Sequence, residues 1–307
     1  MKMIVLQSNA SMVSSNATGS ANTEYANGTT YAAGAKVKVS FESNGTTPRF
    51  PVVDYESLDA GNVGHYPPDN PTYWSDLGAD NKSRMFDGYL NTQTVHTSAL
   101  EVEVSANGAN HVGLFGLYGT KVTLSLVHDS VVKKTETFDL RSTIPASGWY
   151  NWLYASYEYP IYQILWEFPQ YAANSVLEIT ITTRSGQAMC GHVAIGRQRY
   201  LGVSQYDATI GIDDYSIKGT DSLGRTYLAQ GAYAKRANVK FWLTNTDLDA
   251  IQSALASIRG SSAIFDCNNG QAAPYQALII CGYYSAFDIA IPGFLRSLCN
   301  IEIKGLI

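Results

Sequence analysis

Charge is what this sequence has least of. Asp, Glu, Lys and Arg supply 15% of its 307 residues, well below the roughly 25% of an ordinary soluble domain, so Ser, Thr, Asn, Gly and Tyr must cover much of the surface. That composition suits β-rich extracellular or virion proteins. The formal net charge is −5 and no Lys/Arg cluster stands out, which removes the electrostatic footprint that nucleic acid requires. Cysteine is scarce too. Cys190, Cys267, Cys281 and Cys299 form no Cys-x-x-Cys pair and no metal-ligand spacing. Three of them adjoin apolar, strand-like runs, as buried small hydrophobes do, and so few in so long a chain do not make a disulfide scaffold. Apolar runs are short throughout. None approaches the ~18 residues of a membrane span, and the opening Met1 to Gln7 holds a four-residue apolar run, too short for a signal-peptide core. The expectation is a protein made in, and soluble in, the cytoplasm of its producer cell.

Chemistry-bearing motifs are equally sparse. There is no Gly-x-Ser-x-Gly. Gly113, Gly116 and Gly119 lead into Thr120-Lys121, the wrong order for a phosphate-binding loop, and suit a turn-rich strand pair instead. Cys190-Gly191-His192 brings a thiol near an imidazole, but no Asn or Asp is identifiable to orient the ring, and a structural cysteine is the expected reading. His65, His96, His111, His128 and His192 include no His-x-x-x-His pair, so zinc is not expected. Asp69, Asp76, Asp80 and Asp87 share one loop-rich stretch without the spacing of a calcium loop, which leaves them as solvated turn residues. No catalytic residue, metal ligand or cofactor is assigned.

What the chain does have is tyrosine, 21 of them, and period-two patterning. Tyrosine joins a large apolar body to a polar tip, which fits strands and contact surfaces alike. Lys36 to Phe41, Leu100 to Val104, Val122 to Leu126 and Val176 to Ile181 alternate apolar and polar residues, the mark of half-buried strands. Asn107-Gly108 and Asp129-Ser130 punctuate them, which predicts an antiparallel sandwich in the middle of the chain. The aromatic run from Trp149 to Trp166 is expected to cross and cover a sandwich edge. The stretch Ser8 to Asn27 is rich in Ser, Asn, Ala and Thr, and the segment before Tyr31 is expected to be a loose arm that orders only on a partner. One helix is predicted, over 246–259. Asn245 or Thr246 can cap it and Asp247 and Asp249 favour its first turn. Leu248, Ile251, Leu255 and Ile258 form one apolar stripe, and Gly260 supplies a left-handed stop. Strands are expected around it at Val239 to Leu243, Ala263 to Phe265, Ala277 to Cys281 and Asn300 to Lys304.

Two stretches carry resemblances. Tyr73-Trp74-Ser75-Asp76-Leu77-Gly78-Ala79-Asp80-Asn81-Lys82-Ser83-Arg84-Met85-Phe86-Asp87 resembles a segment of phage virion proteins in which Trp-x-x-x-Gly-Pro-x-Asn runs into Met-Phe-Asp; here Ala79-Asp80 departs from that pattern. Ser216 to Arg225, Ala234-Lys235-Arg236, Ala254 to Gly260 and the closing Cys299 to Leu306 look like the same proteins in the same order. The resemblance implies a virion structural role near the tail tip. Residues 31–78 separately resemble a small chitin-binding-type carbohydrate module, through Tyr31, Gly34, Val37, Tyr55, Pro68 and Trp74. In such a module flat aromatic faces stack on sugar rings, which makes Tyr31, Tyr55, Tyr73 and Trp74 the candidate glycan contacts.

Together these readings predict a mainly β protein in three parts: 1–80 as an arm plus small β module, 81–205 as a central antiparallel β-sandwich, and 206–307 as a β-sheet domain with one helix. The leading functional expectation is a non-enzymatic bacteriophage tail-tip or baseplate protein of the virion, oligomeric there, contacting tail tube, hub or fibre proteins. A receptor-binding lectin for host surface polysaccharide is the alternative, to be marked by an exposed pair of aromatics within 31–78. A glycan-degrading enzyme is the third, requiring two carboxylates about 5–9.5 Å apart across a cleft.

Overall fold

The computed structural model describes residues 1–7, 11–140, 149, 161–184, 186–205, 207–220, 223–268 and 275–307. The chain is mainly β and almost wholly antiparallel. Its largest sheet has ten strands. At one end lie β12 (Gln163–Glu167), β9 (His111–Phe115) and β15 (His192–Tyr200). Next come β1 (Lys2–Leu6), β21 (Ala263–Asp266), β22 (Ile279–Ala290), β23 (Arg296–Gly305), β20 (Tyr233–Thr244) and β16 (Val203–Ser204), with β17 (Thr209–Asp214) also on β20.

A second sheet, of five strands, runs in the order β11 (Val131–Asp139), β10 (Lys121–His128), β13 (Ser175–Thr182), β8 (Leu100–Ser105), β2 (Met12–Ser15). Its inward residues are those the alternation selects: Val102 and Val104, Leu124 and Leu126, Ile179 and Ile181 are all buried. They share one core with Val112, Leu114, Trp166 and Ile195 of the large sheet, so the two sheets form the predicted sandwich. A short pair, β7 (Thr94–His96) with β14 (Ala188–Cys190), lies beside it. Of the aromatic run, Trp166 is buried in this core and Trp149 and Tyr162 are exposed; Tyr150, Trp152, Tyr154, Tyr157 and Tyr159 fall outside the described residues.

The other half of the same face of the large sheet is covered by α1 (Leu248–Ser257), which follows a 3-10 turn at Asn245–Asp247. Ile251, Leu255 and Ile258 are buried against Phe241, Val239, Ile301 and Phe265, with Leu248 half-buried beside them. Gly260 takes a φ of 70°, the left-handed stop expected after the last turn. The cap differs from expectation. Neither Asn245 nor Thr246 bonds a helix N–H by its side chain; the first helical turn starts from Asp247. The Asn245 amide instead donates to the Gly293 carbonyl at 2.9 Å and accepts from Ser297 Oγ at 2.6 Å.

The largest departure concerns the first residues. The expected loose arm begins with a central strand. β1 pairs antiparallel with β15 on one side and β21 on the other, and Met3 and Ile4 are fully buried. Farther on, β2 joins the five-stranded sheet and Asn16 binds the backbone of Ala99 and Glu101. β1 is ordered by burying Met3 and Ile4 between two neighbouring strands, whereas the more polar β2 segment gains order by adding hydrogen bonds to the edge of an existing sheet. The ten-stranded sheet therefore crosses position 205, joining strands of 81–205 to strands of 206–307 through β1.

Residues 23–79 form a separate four-stranded sheet of β3 (Thr23–Glu24), β4 (Lys36–Phe41), β5 (Pro48–Ser57) and β6 (Trp74–Ala79), in which only the β3–β4 pairing is parallel.

Truncating Leu255 to Ala should cost roughly 2–5 kcal/mol, since it removes a fully buried side chain that sheet and helix share; urea unfolding measures this. Gly196 lets β15 approach β1, because a Cβ there would overlap the Val5 carbonyl oxygen. Gly196→Val should therefore free the β1 amides, read as faster hydrogen exchange at residues 2–6 than in the wild-type protein.

Candidate assembly surface

The four residues nominated for sugar binding are brought together, but as a core. Tyr31, Tyr55 and Trp74 are 2–9% exposed and pack with Val37 and Val39, with Tyr25, Tyr66 and Tyr73 at the margin. The Tyr31 ring meets Trp74 edge-on at 5.2 Å and stacks on Tyr25 at 5.8 Å. Trp74 Nε1 donates to the His65 carbonyl at 2.8 Å, and Tyr31 Oη accepts from the Ala26 N–H at 2.8 Å. Tyr73 is half-buried and lies flat on the His65 ring, 3.6 Å between centroids and 8° between planes. A module this small has few aliphatic residues to bury, and aromatic rings supply the missing apolar area. Rings so enclosed, unlike the exposed faces expected of Tyr31, Tyr55 and Trp74 as glycan contacts, spend their area on this core. The most exposed rings within 31–78 are Phe41 and Phe50, and Phe50 leans on Phe86 at 5.1 Å.

The residues weighed for chemistry have structural occupations. Cys190 is buried and its thiol is pushed up to about 12 by desolvation, so it carries no thiolate at neutral pH. Cys267 and Cys281 are held at about 12 and Cys299 at about 11 by the same cause; all four are free and buried. The nominated aspartates hold turns. Asp80 accepts from the Ser83 and Ser20 amides, Asp76 from the Gly78 amide, and Asp87 from the Tyr89 amide and Thr92 Oγ1. Among the described residues no group of three His, Cys, Asp or Glu side chains gathers to hold a metal.

The feature that stands apart is apolar and exposed. After β17 the chain leaves the sheet as a two-stranded ribbon, β18 (Ile217–Thr220) and β19 (Thr226–Ala229), before returning into β20. No residue of β18 or β19 is buried. Its root is fastened: the Tyr215 amide donates to the Ala232 carbonyl, the Gly231 amide donates to Ser216 Oγ, and Lys218 pairs with Asp214 at 2.6 Å. Hydrogen bonds from Lys218 and then Ser216 hold the Asp214 carboxyl well below the usual carboxylate range. Gly219 leaves room for the Tyr227 ring, which lies where its Cβ would be. Yet Ile210, Ile212, Tyr215, Ile217, Tyr227, Leu228 and Tyr233 are 50–74% exposed. Seven large apolar or aromatic side chains, each at least half exposed, thus lie on β17, the ribbon and the start of β20, and exposed apolar residues gathered in this way mark interaction sites. A lone two-stranded ribbon is at best marginally stable in water, so this one gains from a covering partner.

A second apolar surface lies at the other end of β20. The loop between β22 and β23 holds Ile291, Phe294 and Leu295, 65–101% exposed. Asn245 fixes it there through the Gly293 and Leu295 carbonyls. With β20 running 12 residues from Tyr233 to Thr244, the two surfaces are separated by about 36 Å at the usual strand rise. Sequence reading missed both. Ile210 and Ile212 alternate like core strand residues, and nothing local records that no second layer covers them.

Two histidines make stability depend on pH. His192 is buried, and burial lowers its pKa, offset only in part by Asp87 and by a hydrogen bond with the Met85 backbone. His111 is lowered chiefly by burial, with Glu167 opposing. In the unfolded chain both titrate near 6.5, so as pH falls below about 6.5 the unfolded state takes up protons first and stability declines until the folded-state values are passed. His192→Leu should flatten the fall in urea midpoint between pH 7.5 and pH 5; an unchanged slope would leave the fall to other groups.

Among the described residues no helix is long and apolar enough to cross a membrane. Compared with known proteins, the chain matches no family model and no curated protein.

Proposed function

We propose that this chain is a structural, non-enzymatic protein of a bacteriophage tail, at the tail tip or baseplate, that works by binding copies of itself and neighbouring tube, hub or fibre proteins. The observation that carries the reading is the pair of distinct apolar surfaces at opposite ends of β20. Contacts between unlike patches build rings or filaments from one kind of subunit, and a chain made for that needs two surfaces that it cannot cover itself. Large apolar side chains exposed in this number are what the buried centre of a protein–protein interface is made from. The sequence resemblance to phage virion proteins supplies the setting, which is the virion after synthesis in the host bacterial cytoplasm. Its residues have folding roles in this chain: Trp74 and Met85 are buried, and Asp87 holds the turn that follows. The burial of Tyr31, Tyr55 and Trp74 weighs for assembly and against a lectin acting through those rings.

The test is made on particles. The chain should be found by mass spectrometry in purified virions of the phage that encodes it. The double variant Ile217→Asp/Leu228→Asp, altered only at exposed positions, should keep the wild-type melting temperature but enter particles at least tenfold less. Absence of the wild-type chain from virions would overturn the assignment. Normal incorporation of the double variant would take the ribbon out of the assembly contacts.

A further inference from the structure

The face of the ten-stranded sheet opposite α1 holds a cavity of about 280 Å³ at the root of the ribbon. Its walls come from parts of the chain far apart in sequence. Leu90, Phe115, Ile279 and Leu306 make it apolar, and Gln163 and Lys235 place polar atoms in it. Among the described residues no Asp or Glu side chain lines it, and Ile307, whose carbonyl accepts from the Leu90 amide, completes the wall. The contrast within that lining is the informative point. Lys235 is half-buried, and its Nζ donates to Gln163 Oε1 at 2.9 Å, one neutral acceptor for an ammonium with three N–H donors. Gln163 is itself buried and held in place, its Nε2 donating to the carbonyls of Gln276 and Ile279. A fixed amide therefore steadies a cation in an apolar hollow, where pairing with an anion is worth more than it is in water. Several exposed lysines pair with carboxylates instead: Lys218 with Asp214, Lys240 with Asp207 and Lys36 with Glu56.

We propose that this cavity binds a small carboxylate carried on an apolar chain, with Lys235 as the anion's partner and Leu90, Phe115, Ile279 and Leu306 around the chain. The volume lies just below the roughly 300–1,000 Å³ of drug-sized ligand pockets, which favours a short ligand over a long-chain lipid. Burial lowers the Lys235 pKa, and a bound carboxylate relieves that cost by keeping the ammonium charged. The inference does not rest on the tail assignment: Lys235 and Gln163 carry it, although Tyr233 belongs to both the cavity and the exposed surface.

Octanoate is the probe, titrated calorimetrically into the full chain at pH 7, with octanol as its neutral counterpart. Octanoate should bind saturably at one site, octanol at least tenfold more weakly, and Lys235→Met should weaken octanoate at least tenfold. Lys235→Arg should retain most of the binding. Melting temperatures of the ligand-free variants establish that each is folded, and saturating octanoate should raise the wild-type value but not that of Lys235→Met. No saturable binding to wild type, equal binding of octanol, or undiminished binding to folded Lys235→Met would each overturn the proposal. Should Lys235→Met fail to fold, the octanoate–octanol comparison on the wild-type chain decides the matter.

Discussion

The structure depends on where five residues go. β1 hydrogen-bonds to β15 on one edge and β21 on the other, and without it the sandwich half and the helix-bearing half of the large sheet would each end in an open edge. Met3 and Ile4 point to opposite faces, as successive strand residues must. Met3 enters the core beneath α1, and Ile4 enters the cluster with Phe115 and Ile264 on the other side. One short strand thus contributes to both layers. Gly196 is the matching concession in β15, giving up a side chain so that the backbones can meet.

With the sheet made continuous, its two faces have different fates. One is covered along its length, first by the five-stranded sheet and then by α1. The other keeps the hollow beside Lys235. The ends of β20 run past both coverings, and there the exposed apolar residues collect. A chain with few charges has little means of keeping such surfaces solvated, so low charge and uncovered apolar ends fit a molecule completed by neighbours. The ribbon illustrates the physics: its turn bonds and the Lys218–Asp214 pair shape it, but an exposed ion pair adds little stability and among the described residues no layer lies over it.

Much of the fold was legible in the residues. The stripe Ile251, Leu255, Ile258 and the stop at Gly260 predicted α1 because helix periodicity and left-handed turns are local properties. The alternations around Val102, Leu124 and Ile179 predicted the inner faces of the sandwich for the same reason. The cap was misjudged at Asn245, whose amide had a second use in bonding the Gly293 loop. The aromatic set Tyr31, Tyr55, Trp74 was recognised as a unit, and its role was not, because a ring that fills a small core and a ring that stacks on a sugar follow the same spacing.

By itself, then, the sequence determined the class of structure, the positions of most strands, the helix before Gly260 and the absence of any recognisable reactive motif, since each follows from periods, turns and residue chemistry within a few positions. Tertiary structure alone decided that Lys2–Leu6 is a central strand, that Ile212 and Leu228 face outward while Trp74 faces inward, and that Lys235 meets Gln163 in an apolar hollow. All of these turn on which distant segments lie above, below and beside a residue. Burial is a property of the covering layer, and the covering layer comes from elsewhere in the chain.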